Sequence, residues 1–184
     1  MESLNRRERL KLSILSSLVC SGIICGTILR VPSPLGIPIT FQLPMVQLAA
    51  LGLPAPFGLL SVSLYLTLGA FGFPVFAQGG GISYFFEKTG GYLVGFWLAT
   101  FICQFFYKLI VRHSISIVLA LCIHTLIIYL SGITWHAYID NLPWIKVAIP
   151  TLSYFSPQLI PNLIIAYLMV ISFRKTLLRR FNFE

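Results

Sequence analysis

Charge is what this sequence has least of: among 184 residues there are 13 Lys or Arg and only 5 Asp or Glu. The gaps between them are long. Residues 12–29, 89–107 and 114–135 contain no Asp, Glu, Lys or Arg, and each run is long enough to span a bilayer. With 57% hydrophobic residues and a mean hydropathy of +0.88, the chain exceeds the roughly 45–50% apolar content of soluble domains. It reads as an integral membrane protein.

Other absences narrow the function. No G-x-x-x-x-G-K-[ST] occurs, so the chain has no P-loop for ATP. Gly79-Gly-Gly-Ile-Ser83 is followed by no such Lys; three glycines instead permit positive φ and close approach of backbone to a ligand or helix. There is no HExxH, no Ser-His-Asp set and no paired carboxylates, which removes hydrolytic chemistry and argues against an enzyme. The four cysteines (Cys20, Cys25, Cys103, Cys122) lie in apolar segments without a CxxC pair, so neither a metal site nor a disulfide is expected and packing is the simpler role. The net charge of +8 gathers at the chain ends and one loop, the membrane pattern rather than that of a nucleic-acid binder.

What is present is a series of apolar helices, predicted at 11–29, 43–53, 57–72, 90–111, 114–133 and 157–178. The expected fold is therefore all-α: one polytopic membrane domain over 1–184, with six transmembrane helices and basic cytoplasmic tails at 1–10 and 179–184. The first apolar run is longer than a signal-peptide core and lacks a cleavage site, so it is expected to be retained. With both termini cytoplasmic, that side holds Arg6, Arg7, Arg9, Lys11, Lys108, Arg112, Arg174, Lys175, Arg179 and Arg180, and the outer loops hold only Arg30, Lys88 and Lys146. This asymmetry favours N-in, C-in topology. No predicted span has a carboxylate in its interior, and His124, the one titratable group near mid-membrane, reads as a packing residue. Ion-driven transport normally leaves such a charge. The chain is equipped to bind and not to energise.

Polar, Gly- and Pro-broken backbone between residues 36 and 96 marks the binding region, because such backbone at membrane depth must be buried in protein or line a cavity. In Pro38-Ile-Thr-Phe-Gln42, extended backbone would point Thr40 and Gln42 the same way, as hydrogen-bonding groups or as a turn before the short second helix, which is flanked by Pro44 and Pro54. Phe73-Pro-Val-Phe-Ala-Gln78 offers a rigid apolar turn, with Phe76 to stack on a ring and Gln78 to read a polar edge. Gly79 and Gly80 follow. Tyr92 stands at a helix start near the same face, as ligand contact or interfacial belt. The segment 134–156, with Trp135, His136, Asp140 and Trp144, is expected to be a long loop acting as a lid or an aromatic anchor. On the first helix, Ser17, Ser21 and Gly22 make a small-residue stripe suited to close helix packing, within the chain or onto another membrane subunit.

Three pieces taken in order, Pro38-Ile-Thr-Phe-Gln42, Leu68-Gly-Ala-Phe-Gly-Phe-Pro-Val-Phe76 and Thr89-Gly-Gly-Tyr-Leu-Val-Gly-Phe96, resemble the BioY family, the biotin-capturing S components of energy-coupling factor (ECF) transporters. The resemblance runs from about residue 30 to 175. It implies a six-helix S component that captures biotin from outside and pairs with a transmembrane coupling subunit and cytoplasmic ATPases, with no cofactor of its own. It also implies that Ser17, Ser21 and their neighbours face the coupling subunit. One departure concerns the last helix, where the family's Pro-Gly-Asp-x-x-Lys type motif is replaced by Phe155-Ser-Pro-Gln-Leu-Ile-Pro-Asn162. Gln158 and Asn162 share a helix face and offer neutral bonds, roughly half as strong as those of the charges they replace. The expected ligand set is then Thr40, Gln42, Gln78, Tyr92, Gln158 and Asn162 for the polar ends, with Phe73, Phe76 and Trp135 on the apolar parts. A different small carboxylic vitamin such as lipoate, a transporter working without ATPases, and a scaffold whose loops only pack stand as alternatives.

Overall fold

A computed structural model describes residues 5–31 and 39–181. Seven helices account for nearly all of it: α1 (Arg6–Ile28), α2 (Gln42–Gly52), α3 (Phe57–Ala70), α4 (Gly90–Phe105), the single turn α5 (Tyr107–Ile110), α6 (Ser114–Ile139) and α7 (Trp144–Phe181). Two short strands, β1 (Arg30–Val31) and β2 (Ile39–Thr40), form an antiparallel ribbon with Arg30 opposite Thr40. Gly36–Pro38, the start of the first predicted loop motif, lie outside the described residues. The all-α expectation holds.

Helix α1 starts five residues earlier than the apolar pattern suggested. Its entry is closed by Glu8, whose Oε2 accepts from the Asn5 backbone N–H at 2.9 Å, satisfying a donor that a helix start otherwise leaves free. Arg6 to Leu10 of the expected tail are therefore helical, and at the other end α7 continues through Phe181. Arg6–Ile28, Ser114–Ile139 and Trp144–Leu177 are long and apolar enough to cross a membrane; Phe57–Ala70 and Gly90–Phe105 are shorter apolar helices. Large side chains such as Ile14, Leu18, Phe105, Ile115 and Leu168 stay exposed on the outside, where lipid rather than water is their natural neighbour.

Eleven residues make α2 about 16 Å long, half of a bilayer core. It survives because the bundle encloses it: Val46, Gln47, Ala49, Ala50 and Leu51 have no exposed surface. Polar side chains replace the missing length. Gln47 donates to the Thr125 hydroxyl of α6 at 2.8 Å, and Gln104 of α4 donates to the Ala50 and Leu53 carbonyls at 2.6 and 3.1 Å. His124 is fully buried 3.4 Å from the Thr100 hydroxyl, consistent with the packing role expected of it.

The structure overturns the predicted loop at 134–156. Helix α6 runs on to Ile139, four residues turn the chain at Asp140–Pro143 with Asn141 at a φ of 51°, and α7 begins at Trp144. Two causes were hidden in the sequence. Ile133, Ala137, Val147 and Ala148 bury one another in a small cluster that only two helices can form. Pro150, Pro157 and Pro161 look like breakers yet stand inside α7. A proline deprives the carbonyl four residues earlier of its donor, and in membrane helices neighbouring hydroxyls restore it. Here Ser156 Oγ donates to the Ser153 carbonyl at 3.0 Å, the group that Pro157 leaves free. No long lid exists at this position.

Candidate functional site

The segment 71–89 between α3 and α4 is irregular, with a 3₁₀ turn at Ile82–Phe86. It folds on itself. Phe76 and Gly79 exchange backbone hydrogen bonds at 2.9 and 3.2 Å, and Gly79 and Gly81 adopt φ of 141° and 106°, which side-chain-bearing residues rarely adopt. A Cβ on Gly80 would collide with the Phe73 carbonyl. The glycine run therefore shapes this loop.

Phe76 is the anchor of that loop. It is buried against Tyr65, Tyr84 and Phe85 at ring distances of 5.4, 4.9 and 5.6 Å, in a space that exists because Gly69 lacks a Cβ. Its role is to press Tyr84 into place. Phe73 is exposed, Gln78 is exposed, and Trp135 donates through Nε1 to the Glu87 carbonyl at 3.0 Å while packing on Tyr138. Phe73, Phe76, Gln78, Gly79, Gly80 and Trp135 thus lie outside the cavity described next.

That cavity is open to one side and encloses about 700 Å³ when the solvent space at its mouth is included. Six elements meet around it. Strand β2 and the start of α2 give Thr40, Gln42 and Leu43; the irregular segment gives Ala77, Tyr84 and Thr89. The first two turns of α4 give Tyr92, Leu93 and Phe96, and α6 gives Ile128 and Tyr129. Helix α7 gives Phe155, Gln158 and Asn162. Thr40, Gln42, Tyr92, Gln158 and Asn162 were legible from the sequence, the last two one turn apart on one face of α7. Thr40 and Gln42 are not on one extended strand, because Gln42 already begins α2; they still meet, with Thr40 Oγ1 3.4 Å from Gln42 Oε1. Tyr84, Thr89, Tyr129 and Phe155 were missed. Thr89 stood inside a quoted motif, and Phe155 three residues before Gln158, one turn away on a helix that the prolines concealed.

The chemistry of the walls is uniform. No Asp, Glu, Lys, Arg or His is among the described lining residues. Carboxamides, hydroxyls and apolar faces do all the contacting. The Thr89 Oγ1 and Tyr92 hydroxyl are buried without a hydrogen bond of good geometry, although the Thr151 hydroxyl stands beside Tyr92. Buried polar groups normally find partners, and both of these residues line the cavity.

Charge stands beside the site rather than in it. Lys88 Nζ lies 2.7 Å from Asp140 Oδ2, and His136 Nε2 lies 3.1 Å from the same oxygen. The Lys88 hydrogen bond holds the Asp140 carboxyl below its ordinary range. The cluster ties the residue preceding Thr89 to the α6–α7 turn. Among the described residues no group of His, Cys, Asp and Glu could hold a metal ion.

The sequence profile of the BioY family matches residues 3–179. This chain belongs to the BioY family. It is 30% identical over 141 residues to the biotin transporter BioY of Rhizobium etli, covering 72% of this chain and 75% of that one. Against the probable biotin transporter BioY of Pyrococcus horikoshii identity is 40% over 102 residues, 55% of this chain and 59% of the relative. The matched stretch spans 39% of the probable biotin transporter BioY of Lysinibacillus sphaericus, at 43% identity over 77 residues, 42% of this chain. The fold is also that of the crystallised S-component for biotin from an ECF-type ABC transporter, with a TM-score of 0.82 and 22% identity over 95% of this chain and 94% of that one. In this BioY chain two of the three motif pieces that carried the resemblance reach the cavity, the first through Thr40 and Gln42 and the third through Thr89, Tyr92, Leu93 and Phe96.

Proposed function

We propose that this chain is the substrate-capturing S component of a biotin uptake system, a multi-pass protein of the cell (inner) membrane with both termini cytoplasmic. The cavity takes biotin at the outer face. A transmembrane coupling subunit and cytoplasmic ECF ATPases supply the energy. One observation carries the reading: a membrane-embedded cavity of the BioY fold walled by neutral amides, hydroxyls and apolar side chains. A cyclic urea offers N–H donors and a carbonyl acceptor, which amides and hydroxyls satisfy without a buried charge. Leu93, Phe96, Ile128 and Phe155 suit the apolar ring and chain. The concentration of Lys and Arg at the termini and near Lys108 supports the orientation. Without a P-loop or an intramembrane carboxylate, the chain depends on partners to move its ligand.

The α1 stripe supports the partner half of the proposal in part. Ser17 and Ser21 are exposed, and their hydroxyls turn back onto the Ser13 and Ser17 carbonyls at 3.2 and 3.0 Å, leaving a flat, self-satisfied surface for another helix. Gly22 faces inward instead: a Cβ there would stand 3.3 Å from Met45 Sδ of α2. The test is biotin uptake in cells with and without a co-expressed ECF coupling module. Uptake that requires the module supports the proposal; equal uptake without it makes the chain a self-sufficient transporter, and no uptake in either case contradicts biotin transport.

A further inference from the structure

Away from the cavity, the connection between α4 and α6 is built around a cation. Arg174, near the end of α7, donates through Nη1 to the Tyr107 hydroxyl at 3.1 Å and through Nη2 to the Val111 carbonyl at 3.5 Å. Its guanidinium also stands 5.6 Å from the centre of the Tyr107 ring, a cation–π contact. These bonds pin α7 to α5. Each of the two residues that Arg174 grips is followed by an exposed base, Lys108 and Arg112, and exposed Lys175 follows on α7.

The surrounding elements bring no counter-charge. From Lys88 to Ile139 and from Asn141 to Phe183 the sequence has no Asp or Glu, so α4, α5, α6 and α7 offer these bases no carboxylate. Glu8 on α1 is taken up by the Asn5 N–H. Arg174 keeps its Nε–H and one N–H on each terminal nitrogen, donors whose planar geometry matches phosphate oxygens. Apolar surface adjoins the bases. Phe105, Phe106 and Leu109 are exposed, and Phe105 continues an exposed row along α4, where Phe101 stacks on it at 6.5 Å and on Trp97 at 5.5 Å.

We infer that α5 and the end of α7 form a head-group site for an anionic phospholipid. Bases of one sign at one end of a helix bundle are common in membrane proteins. This group differs in having a guanidinium fixed by Tyr107 and Val111, flanking bases, and no carboxylate from the helices around it. The lipid phosphate supplies the missing counter-charge, and its chains lie on the exposed aromatic row. In the proposed orientation this end faces the cytoplasmic leaflet, where anionic lipids attract basic segments.

The test titrates the full chain in neutral detergent with phosphatidylglycerol, with phosphatidylcholine of the same chains, and with inorganic phosphate. Native mass spectrometry counts bound lipid while the thermal midpoint is followed. Phosphatidylglycerol is expected to bind more tightly than phosphatidylcholine and to raise the midpoint further; phosphate alone is expected to leave the midpoint unchanged. Lys108→Gln combined with Arg112→Gln should cut the preference for phosphatidylglycerol about fivefold or more. The midpoint in phosphatidylcholine should not move, because both side chains are exposed. Arg7→Gln combined with Arg9→Gln removes the same charge from exposed positions on α1 and should keep the preference. Equal binding of the two lipids by the parent overturns the inference. So does an equal loss in both double variants, which would mean diffuse surface charge, and so does a midpoint rise with phosphate matching that with phosphatidylglycerol, which would mean a site for free anions. No readout involves biotin, so the outcome is independent of the proposed function.

Discussion

The Ser131 hydroxyl of α6 donates to the Gly91 carbonyl of α4 at 2.9 Å. The two helices come this close because Gly91 and Gly95 carry no side chain: a Cβ on Gly91 would strike Trp135, and one on Gly95 would sit 3.0 Å from the Ile128 backbone. Small residues play this part wherever membrane helices pack without a hydrophobic driving force. The same closeness seats Tyr92 over Gly132 and brings Ile128 and Tyr129 to the cavity.

Gly132→Ala is expected to push the Tyr92 ring out of its seat. Inserting a methyl into packed space costs about 1–3 kcal/mol. Thermal unfolding should show a lower midpoint, and a biotin titration should show weaker binding. A variant with unchanged midpoint and affinity would mean that the α4–α6 seam yields easily.

Tyr92→Phe separates binding from stability. The hydroxyl makes no hydrogen bond of good geometry in the free protein, with only the Thr151 hydroxyl beside it, and a poorly satisfied buried polar group is destabilising by about 1–3 kcal/mol. Removing it should hold or raise the midpoint of the free protein while weakening biotin several-fold. Loss of stability together with unchanged affinity would show that Thr151, not the ligand, is its partner.

The seam explains which parts of the fold could be read in advance. Charge-free runs disclosed α1, α4 and α6 because lipid demands apolar length. The α6–α7 turn stayed hidden: helix-breaking prolines argue for a loop unless a hydroxyl such as that of Ser156 replaces the lost donor, and that depends on three-dimensional placement. Phe76 was misplaced for a related reason. An aromatic beside Gly and Pro looks equally suited to a ligand or a core, and only the missing Cβ of Gly69, facing it across the loop, decides for the core. Gln158 and Asn162 were legible because four-residue spacing survives any helix register.

Gln158→Ala and Asn162→Ala should each weaken biotin by about 1 kcal/mol, roughly fivefold, the usual size of a neutral hydrogen bond. Because no acid, Lys, Arg or His is among the described lining residues, affinity should stay nearly flat between about pH 6 and 9, where the ligand carboxyl and the wall tyrosines keep their protonation. A sharp pH step in that window would reveal an ionisable contact.

The Lys88–Asp140 pair predicts a pH effect of definite sign. Lys88 lowers the Asp140 carboxyl from its ordinary value of 3.8, so its contribution is present above that value and is lost as pH falls through the lower, folded one. Asp140→Asn should reduce the thermal midpoint at neutral pH and low salt, modestly as for an exposed pair. The difference should vanish well below pH 4 and shrink in high salt. A deficit that persists under acid would mean that Asp140 acts through the α6–α7 turn and not through charge.

The most direct test of the account is a thermal shift of the purified protein with biotin, lipoate, thiamine and riboflavin in parallel. A ligand that binds only the folded state at 100 times its dissociation constant adds about 2.7 kcal/mol, a rise of several degrees. The account predicts that rise with biotin alone. A rise with lipoate in place of biotin, or no rise with any of the four, would contradict it.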